Sequence, residues 1–189
     1  MPERTPGNLP AAVLILVFSL LSACSSTPPQ PASTSGWGFN GKVGLWAYGE
    51  QESANVEWQD CDSSYLVRLS GPLGVGSALV YGNDSGVSLH RGSDDTLYAD
   101  SPEALLASMG WYLPVSHLRY WLQGLPSPDS PYQREPQSAD ALTSLSQSGW
   151  RIAYTYQSGQ IARISMEDDN IRLKWIIRDW HESAVCTAP

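Results

Sequence analysis

The chain has 189 residues, and its 19 acidic side chains outnumber 11 basic ones, for a net charge of −8. That balance argues against nucleic acid or an anionic surface as a partner bound through bulk charge. Eight Trp and nine Tyr stand against two Phe, a composition rich in large apolar rings that carry a polar handle.

In chain order, Arg4 precedes an apolar run, "AAVLILVFSLL", from Ala11 to Leu21. It has the length of a signal-peptide core and is too short to span a bilayer. "LSAC", Leu21 to Cys24, follows and resembles the lipobox of bacterial lipoproteins. The resemblance implies cleavage before Cys24, a diacylglyceryl thioether on its sulfur and an acyl chain, such as palmitate, on its amine. Ser25 rather than Asp after that cysteine implies export to the outer membrane. Residues 1–23 therefore read as a lipoprotein signal peptide. Residues 24–36 read as a lipidated cysteine with a Ser/Pro tether that cannot bury a core. Removing residues 1–23 takes away only Glu3 and Arg4, so the net charge stays −8. Residues 37–189 are long enough for one domain with a core or cavity. Cys61 and Cys186 remain there, in an oxidising compartment. They either form a disulfide closing a long loop or stay as two buried thiols.

From Phe39 onward the dominant period is two. Ala54, Val56 and Trp58 alternate with polar residues, as do Tyr65, Val67 and Leu69, then Trp150, Ile152, Tyr154 and Tyr156, then Ile171, Leu173, Trp175 and Ile177. This predicts half-buried antiparallel strands, about ten, six before residue 100 and four after 140. Gly, Asn, Asp and Ser punctuate them as hairpin turns. "SGPLGVG", residues 70–76, is one such turn, yet its crest carries Leu73, a large apolar side chain with little to pack against. Ser101-Pro102-Glu103 breaks the period with a hydroxyl N-cap, Pro at the first helical position and an acid in the first turn. Leu105, Leu106 and Met109 then share one helical face. A second short helix is expected from Pro114 or Val115 to Gln123, with Leu118, Trp121 and Leu122 as its apolar side and Gly124 as its stop. "LPSPDSPYQREP", residues 125–136, reads as a Pro-rich connection. A single sheet with one apolar face and two short helices encloses a hollow, and a hollow lined by Trp, Leu and Met suits acyl chains.

Reactive chemistry finds little support. No Ser lies in a G-x-S-x-G elbow, and His90, His117 and His181 lack metal-ligand spacing. "GWGFNGK" at 36–42 matches G-x-x-x-x-G-K, but Val43 follows the Lys and the segment continues as strand, so it is no phosphate loop. Neither cofactor nor metal is expected, and no enzyme activity.

Several stretches in sequence resemble the LolB family, the outer-membrane lipoprotein receptors of the Lol sorting pathway. They are "GKVGL", "NVEWQ", "YLVRLSGPLGVGSALVY", "YADSPEALLASMGWYLPVSHLRYWLQGLP" with its Trp121, Gly124 and Pro126, "QSGWRIAYTY" and "IRLKWIIRDW". The resemblance implies a mainly β fold with a helical insert: an unclosed antiparallel β-barrel of ten to eleven strands, covered by short helices. It implies a monomer that takes outer-membrane-destined lipoproteins from a LolA-type periplasmic carrier. The receptor would hold their acyl chains in an apolar cavity and place them in the inner leaflet of the outer membrane. Alternation and the helix faces put Val56, Trp58, Leu69, Leu79, Leu106, Met109, Leu118, Leu122, Ile164 and Trp175 around that cavity. Leu73 would be a membrane-delivery residue; the alternative is that it folds back onto the sheet. The family's helix ahead of the first strand is short or missing here, and the Cys61/Cys186 pair is not a family feature. Two other readings stay open: a structural or assembly-machine lipoprotein without a cavity, and a lipid-modifying enzyme.

Overall fold

A computed structural model describes residues 36–72, 76–92, 95–134 and 143–189 of the chain. The signal segment, Cys24, the linker up to residue 35 and Leu73 lie outside the described residues, as does any helix ahead of the first strand.

Strand alternation produces eleven antiparallel strands in one open sheet. They are β1 (Trp37–Ala47), β2 (Glu50–Cys61), β3 (Ser64–Ser70), β4 (Ser77–Asn83), β5 (Gly86–Arg91), β6 (Asp95–Ala99), β7 (Tyr132–Arg134), β8 (Ser144–Gln147), β9 (Trp150–Gln157), β10 (Gln160–Glu167) and β11 (Ile171–His181). The order across the sheet is β6-β5-β4-β3-β2-β1-β11-β10-β9-β8-β7. The first and last long strands, β1 and β11, thus meet in the middle and weld two meanders together. Six strands precede residue 100 and four follow 140, as the alternation predicts. The eleventh, β7, arises inside the Pro-rich connection. Its three exposed residues carry no alternation to read. Three of the hairpins turn on a residue pair with both φ angles positive: Tyr48-Gly49, Ser148-Gly149 and Ser158-Gly159. That conformation matches the right-handed strand twist and places Gly second.

Two helices pack on the apolar face of the sheet. α1 (Pro102–Ser108) begins as read, with the Ser101 hydroxyl accepting from Ala104 N–H at 3.1 Å and Pro in the first turn. α2 (Val115–Trp121) follows and is tied to α1 where Ser116 N–H donates to Glu103 Oε1 at 2.7 Å. After it, Gly124 takes φ +75°, and Leu125 N–H reaches back to Tyr120 O at 3.0 Å. This left-handed stop is the physical content of the Trp121…Gly124 spacing.

The inward residues of β1, β2, β3, β8, β9, β10 and β11 form one buried cluster with Leu118 and Trp121 of α2 and with Leu122, which caps it. A smaller cluster joins Val87 and Leu89 of β5 to Leu105 of α1. Behind the sheet, the residues after β11 fold back. Cys186 is disulfide-bonded to Cys61 with Cα atoms 6.0 Å apart, and Val185 N–H donates to Gln59 Oε1 at 3.2 Å.

Candidate functional site

The concave face is built by register. Phe39, Gly41, Val43 and Leu45 of β1 stand opposite Trp58, Val56, Ala54 and Glu52 of β2. On the other side Val43 and Leu45 stand opposite Trp175 and Leu173 of β11. Further out, Trp175 pairs with Ile164 and Ile164 with Tyr154. In the opposite direction Val56 pairs with Leu69, and Trp58 with Val67. Aromatic rings fill the middle. Phe39 and Trp58 stack at 6.5 Å, Trp175 meets both edge-on at 6.2 and 6.4 Å, and Trp37 stacks on Trp58 at 6.3 Å. Gly82 gives up its side chain so that the Tyr65 ring can lie across it; a Cβ there would collide with that ring.

Of the residues expected around the cavity, Val56, Trp58, Leu118, Leu122, Ile164 and Trp175 are buried together in the main cluster, with Leu69 half-buried against it. Met109 packs half-buried on the smaller cluster under α1. Leu106 is half-buried and belongs to neither cluster; Leu105, its neighbour, is the residue α1 buries. Leu79 is a correction. It stands opposite Arg68 and His90, on the outer face, where it lines a groove of about 600 Å³ with Glu57, Arg68 and His90. In "SALVYG" both parities carry apolar residues, and pairing with β3 turns Ala78 and Val80 inward instead. Cys24 and Leu73 lie outside the described residues.

α2 packs on the concave face. Trp121 and Leu122 are fully buried. The end of α2 is anchored by a buried polar network. Trp121 Nε1–H donates to Gln147 Oε1 at 2.8 Å, and Tyr154 O–H donates to Trp121 O at 2.9 Å. Gln147 is satisfied in turn by the Ser127 backbone and Ser130 O. Burial, aided by nearby Tyr156, pushes the Tyr154 phenol well above its ordinary value, so it stays a donor.

The outward side of α2 is held differently. Arg119 grips Asp60 with Nε to Oδ2 at 3.0 Å and Nη2 to Oδ1 at 2.6 Å, and Nη2 also reaches Asp62 O at 2.8 Å. Asp60 is an acid at an inward-facing position of β2, 4% exposed. Burial raises its pKa, and the Arg119 hydrogen bond and charge only partly offset that. Beside this clasp a cleft of about 230 Å³ opens between α2 and the sheet, lined by Trp58, Tyr65, Ser116, Arg119 and Tyr120. Sequence reading missed the clasp and the Gln147 network. One signal pointed to the clasp: Asp60 shares the inward parity of Val56 and Trp58, and a buried carboxylate demands a partner.

Among the described residues no group of three or more His, Cys, Asp or Glu side chains is placed to hold a metal ion, and no helix is long and apolar enough to cross a membrane. What the arrangement offers is a broad, aromatic-rich apolar face on which α2 packs.

A family model described as outer membrane lipoprotein LolB matches residues 35–180. Outer-membrane lipoprotein LolB of Pseudomonas putida F1 is 38% identical over 157 residues, 80% of this chain and 77% of that one. The LolB proteins of Stutzerimonas stutzeri A1501 and Pseudomonas aeruginosa PAO1 are each 37% identical, over 79% and 80% of this chain and 75% and 77% of theirs. Among solved structures, a LolA superfamily protein from Nitrosomonas europaea resembles it at TM-score 0.46 and 9% identity, over 83% of this chain and 89% of that one.

Proposed function

The chain belongs to the LolB family of outer-membrane lipoproteins, and on that premise we propose that it binds the acyl chains of incoming lipoproteins against its concave face, beneath α2. It is a lipoprotein receptor of the Lol pathway at the outer membrane. A LolA-type soluble carrier hands it cargo, and it releases that cargo into the inner leaflet. Cys24 carries the lipid that holds it there, and residues 24–36 are the tether. It works as a monomer and transforms no bond.

The observation that carries this reading is the apolar face itself. It is continuous across β3, β2, β1, β11, β10 and β9 and is covered in the middle by one seven-residue helix. Ordinary cores are closed by a second full layer. Here α2 contributes Leu118 and Trp121 to the same cluster as Phe39, Trp58, Ile164 and Trp175, and it is the element that lifts to admit acyl chains. Exchange of α2 side chains for acyl chains replaces one apolar partner by another, so the cost of opening is returned on binding. At about 0.8 kcal/mol per buried CH₂, three acyl chains favour any apolar site over water by tens of kcal/mol. Passage must therefore run from hollow to hollow and then downhill into the bilayer. Leu73, in the segment between β3 and β4, enters the leaflet during release. One side chain contributes roughly 1.5–3 kcal/mol, enough to orient a tethered domain but not to anchor it.

The test is transfer in two stages. The full chain carrying Cys24→Ala is mixed with a carrier loaded with radiolabelled lipoprotein, and the label is followed by pull-down. It should move to the Cys24→Ala chain, because the concave face needs no anchor. The lipidated chain should pass the label on to phospholipid vesicles. Label that stays on the carrier when either form is added contradicts the receptor reading.

A further inference from the structure

Three buried donors on the concave face close no hydrogen bond, although one of them, Trp58, has the Asp60 carboxylate beside it. The indole N–H groups of Trp58 and Trp175 and the phenol of Tyr65 make no hydrogen bond. The two tryptophans are only 4% and 5% exposed. Their rings form one row. Trp175 meets Trp58 edge-on at 6.4 Å, and Trp58 stacks on Tyr65 at 6.1 Å. The Trp58 N–H leans toward Asp60 and eases its ionisation slightly, but closes no hydrogen bond, and both Asp60 oxygens are held by Arg119. Other donors in the same core are satisfied: Trp121 by Gln147, Trp180 by Ile161 O at 2.8 Å, and Tyr154 by Trp121 O. The donors that hold α2 in place, Trp121 and Tyr154, thus close hydrogen bonds and this row does not, while His117 Nδ1 and the hydroxyls of Ser127 and Ser144 are likewise buried without a partner. A buried donor left unpaired keeps a desolvation penalty that only an arriving acceptor removes. The cleft beside α2 touches Trp58 and Tyr65, the outer two of the three, and Arg119 stands at its side.

We propose that this row recognises the carbonyls that join acyl chains to a lipidated cysteine. Those groups, two glyceryl esters and one amide, accept hydrogen bonds at their oxygens, and they sit at the root of the apolar chains. With the chains on the concave face, the head of the lipid lies in the cleft at Tyr65 and Trp58, and Trp175 reaches the carbonyl carried furthest in. The apolar face alone would take any hydrocarbon. The donor row distinguishes ester-linked lipid from plain alkyl chains, detergents included. This inference rests on the receptor reading above and adds the chemical basis of its selectivity.

The test compares two probes on the full chain carrying Cys24→Ala, which has no lipid of its own to compete. One is a tripalmitoylated cysteinyl peptide; the other is the same peptide with its glyceryl esters replaced by ethers. Affinities are read by calorimetry for the parent, Tyr65→Phe and Trp58→Phe. The parent should bind the ester probe at least several-fold more tightly than the ether probe. Each Phe variant should lose about two- to tenfold of ester affinity for one missing hydrogen bond and should shrink the ester-to-ether ratio. Tyr65→Phe should melt no lower than the parent, because its hydroxyl has no partner to lose. A parent that binds both probes equally overturns the proposal, as do variants that weaken both probes by the same factor. A parent that binds neither probe overturns the receptor reading itself.

Discussion

Arg119→Leu removes the outer clasp of α2 and leaves Asp60 buried without its cation. Breaking a buried pair by deleting one partner costs about 3–5 kcal/mol. The Arg119 side chain is 30% exposed against 5% for Asp60, so solvent shares the load and about 3 kcal/mol is the better figure. For a domain of this size that lowers Tm by about 6–12 °C. The sign of the pH dependence follows from Asp60. Its folded pKa is already raised by burial, and Arg119 supplies the hydrogen bond and the charge that hold it down. Without Arg119 it rises further. A carboxyl with a raised folded pKa adds stability below its unfolded value and loses it as pH climbs through the folded value. The deficit of Arg119→Leu should therefore shrink as pH falls from 7, because Asp60 then takes a proton. Arg119→Leu/Asp60→Asn should recover much of the loss at pH 7, since no unpaired charge remains. Thermal unfolding by circular dichroism reads both effects. If α2 is the element that lifts, the same variant should also take up a lipopeptide faster. An unchanged Tm at pH 7, or a deficit that grows toward acid, would refute the clasp.

Burial pushes the Tyr65 phenol up to about 12. A raised folded pKa means stability lost as pH rises from about 10 through about 12, and Tyr65→Phe should lack its share of that decline in a Tm-against-pH series. Cys61→Ala should lower the denaturation midpoint, since the bridge spans 125 residues and is worth ~4–5 kcal/mol in the chain-entropy model; an unfolding free energy within ~0.5 kcal/mol of the parent's would show that the tail adds nothing. Leu73→Glu should leave Tm and uptake from the carrier unchanged and block release into vesicles; unfolding of that variant, or release at the parent rate, would make Leu73 a core residue or a bystander.

How far the sequence could be read depended on whether one parity alone was apolar. In β9 and β11 only one parity is buried, so Trp150 to Tyr154 and Ile171 to Ile177 declared their face directly. In β4 both parities are apolar, and only pairing with β3 decides that Leu79 points outward. α1 was legible from Ser101-Pro102, where capping is a local interaction between neighbours. β7 was not, because its pairing with β8 is the only thing that makes it a strand. The clasp joins residues 59 positions apart, and the Gln147 network joins α2 to a strand 26 positions away. No local pattern encodes either. The aromatic richness did announce the cluster of packed rings at the centre of the sheet. That three of its polar handles would close no hydrogen bond is a property of packing, visible only once every neighbour is placed.

The concave face is tested most directly by photo-crosslinking. A photoreactive amino acid is placed in turn at Leu69, at Leu118 and, on the outer face, at Leu79, and each chain is irradiated while a carrier delivers a lipoprotein with labelled acyl chains. The account predicts label on the receptor from Leu69 and Leu118 and none from Leu79. Label from Leu79 equal to that from the inner positions, or no label from either inner position during transfer that otherwise proceeds, would contradict it.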